Sequence, residues 1–289
     1  MIKQKAYAKI NLGLDVLRRR PDGYHEVKMI MQTVDICDHL TFEKREEPGI
    51  GFLIEGSDLL ADENNLVYRA AALLMGRRKI REGVSITLQK RIPIAAGMAG
   101  GSADAAAALR GLNELFEMGY SVEELKEIGV TLGADIPYCI QGGTMLSEGI
   151  GEILTPLSEP PSCYLVIAKP DIDVSTAFVY GHLQADRLHF HPDIDGMAAA
   201  LASGDLKGIT DRMGNVLETV TVKEYPVIDK LKRKMCRLGA ENALMSGSGP
   251  TVFGIYKEEE PAEKAAAAIK EEEPACAVFV TTFWNGRLL

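Results

Sequence analysis

Residues 93 to 107 read Pro93-Ile94-Ala95-Ala96-Gly97-Met98-Ala99-Gly100-Gly101-Ser102-Ala103-Asp104-Ala105-Ala106-Ala107. No other stretch limits the fold as sharply. A loop of glycine and alanine passes straight into a helix, expected over about Gly101 to Phe116. Small residues let a ligand come close to the backbone. The unpaired amides at a helix start, with the helix dipole, attract anions, and polyphosphate is the natural candidate. Close packing of the helix on a sheet would call for the same small residues. The segment is not Gly-x-x-x-x-Gly-Lys-Ser/Thr, and no Gly-x-Gly-x-x-Gly turn follows a strand, so it is neither a Walker loop nor a Rossmann turn. Nothing in the chain resembles a protein-kinase catalytic loop.

The elements around this loop are mixed. Ala6 to Val16 alternates in part and leads into Arg20-Pro21-Asp22-Gly23, a hairpin signal, with Tyr24 to Val34 as the return strand. Leu40 to Glu43, Gly51 to Glu55 and Val84 to Gln89 read as further strands. Asn65 to Arg77 has helical spacing, and Val122 to Leu132 reads as a helix with a capping box from Ser121 and Glu124. Thr144 to Leu154 reads as a hairpin, and the segment Thr155 to Pro161 as a linker. Beyond it come strands at Tyr164 to Lys169, Thr251 to Tyr256 and Val278 to Phe283, with helices between them, including Pro261 to Glu273. Strands and helices without a regular βαβ repeat indicate an α+β chain. The length of 289 residues suggests about two domains, expected at 1–155 and 156–289.

Composition removes several functions. The net charge of -9 is wrong for a general polyanion binder, so nucleic acid is not an expected partner. The five cysteines are odd in number and form no Cys-x-x-Cys pair, against both a disulfide framework and a zinc knuckle. His189 and His191, two apart, lack the further ligands of a zinc site and read as a loop. No apolar run reaches the roughly 18 residues of a membrane helix, and the N-terminus has no signal-peptide core, so a cytoplasmic location is expected.

Three segments in order resemble motifs of the GHMP kinase family (galactokinase, homoserine kinase, mevalonate kinase, phosphomevalonate kinase). They are Ala6-Tyr7-Ala8-Lys9-Ile10-Asn11-Leu12, the Pro93–Ala107 segment, and Leu244-Met245-Ser246-Gly247-Ser248-Gly249-Pro250-Thr251. The Lys9–Leu12 wording and Arg20-Pro21-Asp22-Gly23-Tyr24-His25 resemble the members whose substrate is a cytidine-diphosphate-linked polyol. In the family pattern Met98 stands for a leucine and Ala103 for a second serine, so Ser102 would act alone.

The resemblance assigns residues by position. Lys9 and Asp135, in Gly133-Ala134-Asp135-Ile136-Pro137, would be the catalytic pair. An ionised aspartate can orient a substrate hydroxyl and take its proton late, while a lysine beside it offsets charge on the phosphoryl group. Read from the residues alone, Asp135 could cap a helix and Lys9 could be a solvated strand charge. ATP would contact the loop Pro93, Ile94, Ala95, Ala96, Gly97, Met98, Ala99, Gly100, Gly101, Ser102 and Ala103, with Asn65, Leu66 and Lys90 near the adenosine. Asn11 would meet the polyol hydroxyls, and Tyr24, His25, Thr176 and Tyr180 would hold the cytidine end. Tyr24 and His25 are adjacent, so both reach one base only where the chain bends.

The implied fold is two-domain α+β: an N-terminal domain like the second domain of ribosomal protein S5, and a ferredoxin-like C-terminal domain whose Ser246–Gly249 loop lines the cleft. The implied reaction is phosphoryl transfer from ATP, with Mg2+ on the nucleotide, to a small-molecule alcohol; the sequence assigns no metal ligand. Two alternatives stay open: a homoserine- or mevalonate-type kinase of the same family, and a non-catalytic nucleic-acid-binding protein of S5-like fold.

Overall fold

The computed structural model describes residues 1–286 and 288. The N-terminal part runs β1 (Ile2–Arg19), β2 (His25–Arg45), β3 (Ile50–Glu55), α1 (Leu66–Arg78), β4 (Gly83–Gln89), α2 (Gly100–Leu115), α3 (Val122–Val130), α4 (Ile136–Gln141), β5 (Thr144–Gly149) and β6 (Ile153–Pro156). Then follow β7 (Tyr164–Lys169), α5 (Thr176–His182), α6 (Ile194–Ser203), α7 (Leu206–Asp211), β8 (Gly214–Asn215), α8 (Glu218–Glu224), α9 (Val227–Arg237), β9 (Asn242–Met245), β10 (Val252–Tyr256), α10 (Glu259–Glu272) and β11 (Ala277–Thr282).

The hairpin of β1 and β2 is the spine. Its turn is closed by the Arg20 amide on the Tyr24 carbonyl at 2.7 Å, with Gly23 at φ +89°. The expected strand Leu40 to Glu43 is not separate: it is the far end of the 21-residue β2. Polar Asp35, Asp38 and His39 break the apolar pattern there, but pairing with β1 and then β4 carries the strand through them. Three register shifts in the β1–β2 ladder, at Tyr7/Lys9, Asn11/Gly13 and Val16/Arg18, mark irregularities that re-aim side chains along β1.

The first sheet has the order β3-β4-β2-β1-β8, with β5 on β2 and β6 on β5. Helix α2 lies on it, and its Ala105 to Ala108 are all 0% exposed. A Cβ on Gly111 would stand 2.4 Å from the Phe42 ring, which fixes how close the helix sits. The alanines thus pack on the sheet, and the preceding glycines face a cavity.

The second sheet is antiparallel, ordered β11-β7-β10-β9. With its helices this is the ferredoxin-like βαββαβ order. Later segments return to the first sheet. β8 pairs with β1 at Gly13 and Leu14, and past β11 Phe283 bridges to Val34 while Trp284 stacks on Tyr7 with centroids 4.2 Å apart.

Candidate active site

A cavity of about 940 Å³ lies between the two sheets. Lys9, Asn11, Tyr24, His25, Asn65, Leu66, Lys90, Pro93 to Gly97, Ala99 to Ser102, Asp135, Thr176 and Tyr180 all line it. Segments far apart in sequence therefore meet around one space. The expectation fails for Met98 and Ala103. Each is 1% exposed and packs in the core, because the loop turns inward at Met98 and Ala103 lies on the buried face of α2. Met98 contributes only backbone, its carbonyl accepting from the Lys9 amide at 3.1 Å. With Ala103 in the core, the lack of a hydroxyl there takes nothing from the cavity wall.

One end is made of backbone. Ala99 precedes α2 at φ +54° and gives no side-chain cap, so the first amides of α2 have no side-chain acceptor. A Cβ on Gly97 would stand 2.2 Å from the Ser246 carbonyl oxygen, so only glycine lets the two loops touch. The Ser246 hydroxyl donates to the Gly97 carbonyl at 2.9 Å and locks that contact. Gly247 and Ser248 line the cavity from the far side, and Thr176 reaches Ser248 through their hydroxyls at 2.8 Å. Asn65 caps α1, its side chain accepting from the Val67 amide at 2.9 Å, and also lines the cavity. Lys90 reaches the wall, but its ammonium is engaged by Asp38 at 2.5 Å and Asp104 at 2.8 Å.

Lys9 and Asp135 stand between the two ends. Lys9 and Asn11, two apart on β1, share a face, and the ammonium donates to Asn11 Oδ1 at 2.8 Å and to the Gly97 carbonyl at 3.2 Å. The expected contact of Lys9 with Asp135 is absent: both line the cavity, but they form no ion pair among the described residues. The ammonium turns to Asn11 and the loop instead. Asp135 occupies the cap position of α4 yet makes no capping hydrogen bond. Its carboxylate is not spent on the helix.

The other end is made of side chains. Tyr24 sits in the hairpin turn, outside the strand, which is how it and His25 both reach the cavity. His25 lies against Tyr180, ring centroids 5.2 Å apart and tilted by 40°. Burial, and then the Arg19 charge, lower the His25 pKa, favouring the neutral ring. Its Nε2 is buried without a hydrogen-bond partner.

Known proteins match the chain along most of its length. Residues 65–143 match the model of the GHMP kinases N terminal domain, and residues 197–275 that of the GHMP kinases C terminal. A 4-diphosphocytidyl-2-C-methyl-D-erythritol kinase of Lachnoclostridium phytofermentans is 49% identical over 287 residues, covering 99% of both chains. The chain belongs to the GHMP kinase family. A crystal structure of 4-(cytidine 5'-diphospho)-2C-methyl-D-erythritol kinase superposes on this GHMP kinase with a TM-score of 0.82 and 32% identity, covering 99% of this chain and 100% of that one. A homoserine kinase from Cytophaga hutchinsonii has a TM-score of 0.79 at 22% identity, covering 99% and 96%, a likeness of fold.

Several wall residues of this GHMP kinase carry no clear sequence signal. Arg19, Val27, Met29, Leu59 and Leu217 line the cavity through tertiary packing alone. Asn215 on β8 donates its amide to the Met245 and Gly247 carbonyls at 2.9 and 2.8 Å, and so shapes the Ser246–Gly249 loop from behind. Asp104 did carry a signal: it is an acidic residue in the middle of an alanine helix face.

Proposed function

We propose that this GHMP kinase transfers the γ-phosphoryl group of ATP to the 2-hydroxyl of 4-diphosphocytidyl-2-C-methyl-D-erythritol. The products would be the 2-phosphate and ADP, serving the non-mevalonate route to isoprenoid precursors. The name of relatives identical at about half of all positions supports the substrate. The observation that carries the reading is the unpartnered, buried Nε2 of His25 beside Tyr180, in the same cavity as the uncapped start of α2. A neutral imidazole can hydrogen-bond a pyrimidine edge, and Tyr24 and Tyr180 offer faces for stacking. Homoserine and mevalonate have no base to use this end.

The residues then divide the work. The loop from Pro93 to Ser102, with Gly247 and Ser248 across from it, receives the polyphosphate through backbone amides. Asn65, Leu66 and Lys90 form the wall on the adenosine side. Asn11 meets the polyol hydroxyls, and Thr176 joins the acceptor wall beside Ser248. Asp135 orients the attacking hydroxyl and takes its proton late in the transfer. Lys9 uses two of its three N–H groups on Asn11 and Gly97 and keeps one for charge building on the phosphoryl group. Mg2+ would come with ATP, with the Ser102 hydroxyl at the loop as a side chain able to hold it, and would offset charge on the phosphates.

The lobes are taken as 1–155 and 156–289, a boundary at the very end of β6, since Pro156 still pairs with Met145 in the first sheet and the second sheet begins with β7 at Tyr164. No helix among the described residues is long and apolar enough to cross a membrane; work in the cytoplasm is part of the same proposal. The test is ADP release with a panel of alcohols: 4-diphosphocytidyl-2-C-methyl-D-erythritol, methylerythritol phosphate, homoserine and mevalonate. A kcat/KM for methylerythritol phosphate equal to that for the cytidine compound would remove the assignment.

A further inference from the structure

Beneath the nucleotide loop lie two buried carboxylates and one ammonium. Asp38 of β2 is 0% exposed, Asp104 of α2 is 3% exposed, and Lys90 leaves the end of β4 to meet both. The Lys90–Asp104 pair ties residue 90, just before the loop, to residue 104, just after it. Asp38 Oδ1 accepts from the amides of Arg91 and Ile92, the latter at 2.8 Å. The ammonium lies 3.4 Å from where a Cβ on Gly100 would stand, directly below the helix start.

The donors are shared unequally. Asp38 has three: the ammonium and two amides. Asp104 has the ammonium alone, on Oδ2, and its Oδ1 is buried with no partner. One cation cannot balance two buried carboxylates, and a second negative charge under a polyphosphate site opposes binding. We propose that Asp38, Lys90 and Asp104 are positioning residues for the nucleotide loop, acting as one unit in which Asp38 carries the charge and Asp104 is the neutral, proton-bearing member. The titratable groups facing Asp104 are Lys90, Asp38 and, from α4, the Cys139 thiol, which burial keeps protonated. Burial pushes the Asp104 carboxyl up to about 8, against the pull of Lys90. The proposal rests on the nucleotide-binding role of the loop and not on which alcohol is phosphorylated.

The experiment measures affinity of the whole enzyme for a non-hydrolysable Mg–ATP analogue by calorimetry from pH 6.5 to 9.5, for the wild type, Asp104→Asn and Asp38→Asn. The wild type is expected to lose about tenfold in affinity from pH 7 to 9, as one group ionising near 8 dictates. Asp104→Asn copies the neutral acid, so it should match the wild type at pH 7 and lack the alkaline loss. Asp38→Asn should bind at least tenfold more weakly at pH 7, with KM for the alcohol changed less than twofold. If Asp38→Asn fails to fold, the wild type and Asp104→Asn still decide the matter. An Asp104→Asn protein that is weak at pH 7, or that keeps the alkaline loss, would overturn the neutral assignment. A folded Asp38→Asn protein with normal nucleotide affinity would reduce the cluster to core packing.

Discussion

The two ends of the cavity are built in opposite ways. At the end proposed for the nucleotide the wall is backbone, held by Gly97 against Ser246, by the capping Asn65, and by buried charges under Gly100. At the aromatic end the wall is side chains, with Tyr24 58% exposed at a hairpin turn and His25 lacking a partner for Nε2. A backbone wall reads what every nucleoside triphosphate shares and tolerates little sequence change. A side-chain wall reads one acceptor and can be exchanged without disturbing the fold. The superposition on a homoserine kinase, TM-score 0.79 at 22% identity, shows that the frame persists where most side chains differ.

The sharpest break of this comparison lies at its midpoint. Asp135→Asn keeps the shape and removes the proton acceptor, so kcat should fall by about 10²–10⁴ with little change in either KM. Because the Asp135 side chain makes no capping bond, the melting temperature should stay put. A folded Asp135→Asn enzyme with normal turnover would take Asp135 out of the mechanism and leave the centre of the cavity without a base.

Next in size are two substitutions that should each disturb one end only. At Gly101 an added Cβ would meet only the Leu66 Cδ1 atom at 3.6 Å, so Gly101→Val should fold. Its branches would enter the cavity where phosphate approaches backbone, and nucleotide affinity should drop about tenfold or more, roughly 1.4 kcal/mol. Tyr180→Ala removes a stacking face worth about 1–3 kcal/mol, so KM for the cytidine substrate should rise about tenfold or more. Titration of each variant with both substrates reads the comparison directly. If Tyr180→Ala weakened ATP and spared the acceptor, the ends would be wrongly assigned.

The last prediction concerns stability. Burial raises the Asp104 carboxyl in the folded chain, so its favourable contribution is complete below the ordinary carboxylate range. That contribution is lost as pH rises from there through about 8, because the folded state binds the proton more tightly than the unfolded state does. Thermal melts from pH 5 to 9 should therefore show the wild type losing stability relative to Asp104→Asn, with a plateau above 8. Parallel curves for the two proteins would mean that Asp104 is charged throughout.

Local physics made much of the molecule legible. The helix at Val122 was readable because Ser121 and Glu124 close a capping box within four residues, and the structure has both of its bonds. The hairpin at Asp22-Gly23 was readable because its turn chemistry is contained in the dipeptide. Order and spacing of three motifs pointed to the family, and so to the fold. The single 21-residue β2 was not legible, since Asp38 breaks the apolar pattern and finds its partners more than fifty residues away in Arg91 and Ile92.

What the sequence determined by itself is therefore what short-range chemistry contains: the glycine-rich start of α2, the caps, the turns, and the family to which they belong. Only the tertiary structure decided which way side chains face. It sent Met98 and Ala103 into the core, turned Lys9 to Asn11 and not to Asp135, freed Asp135 from capping, and set Asp104 beside a lysine already shared with Asp38. The reason is that a side chain's direction and charge state depend on burial and on partners brought together by folding, and in this chain several of those partners, such as Asp38 for Lys90 and Gly97 for Lys9, lie more than fifty residues apart.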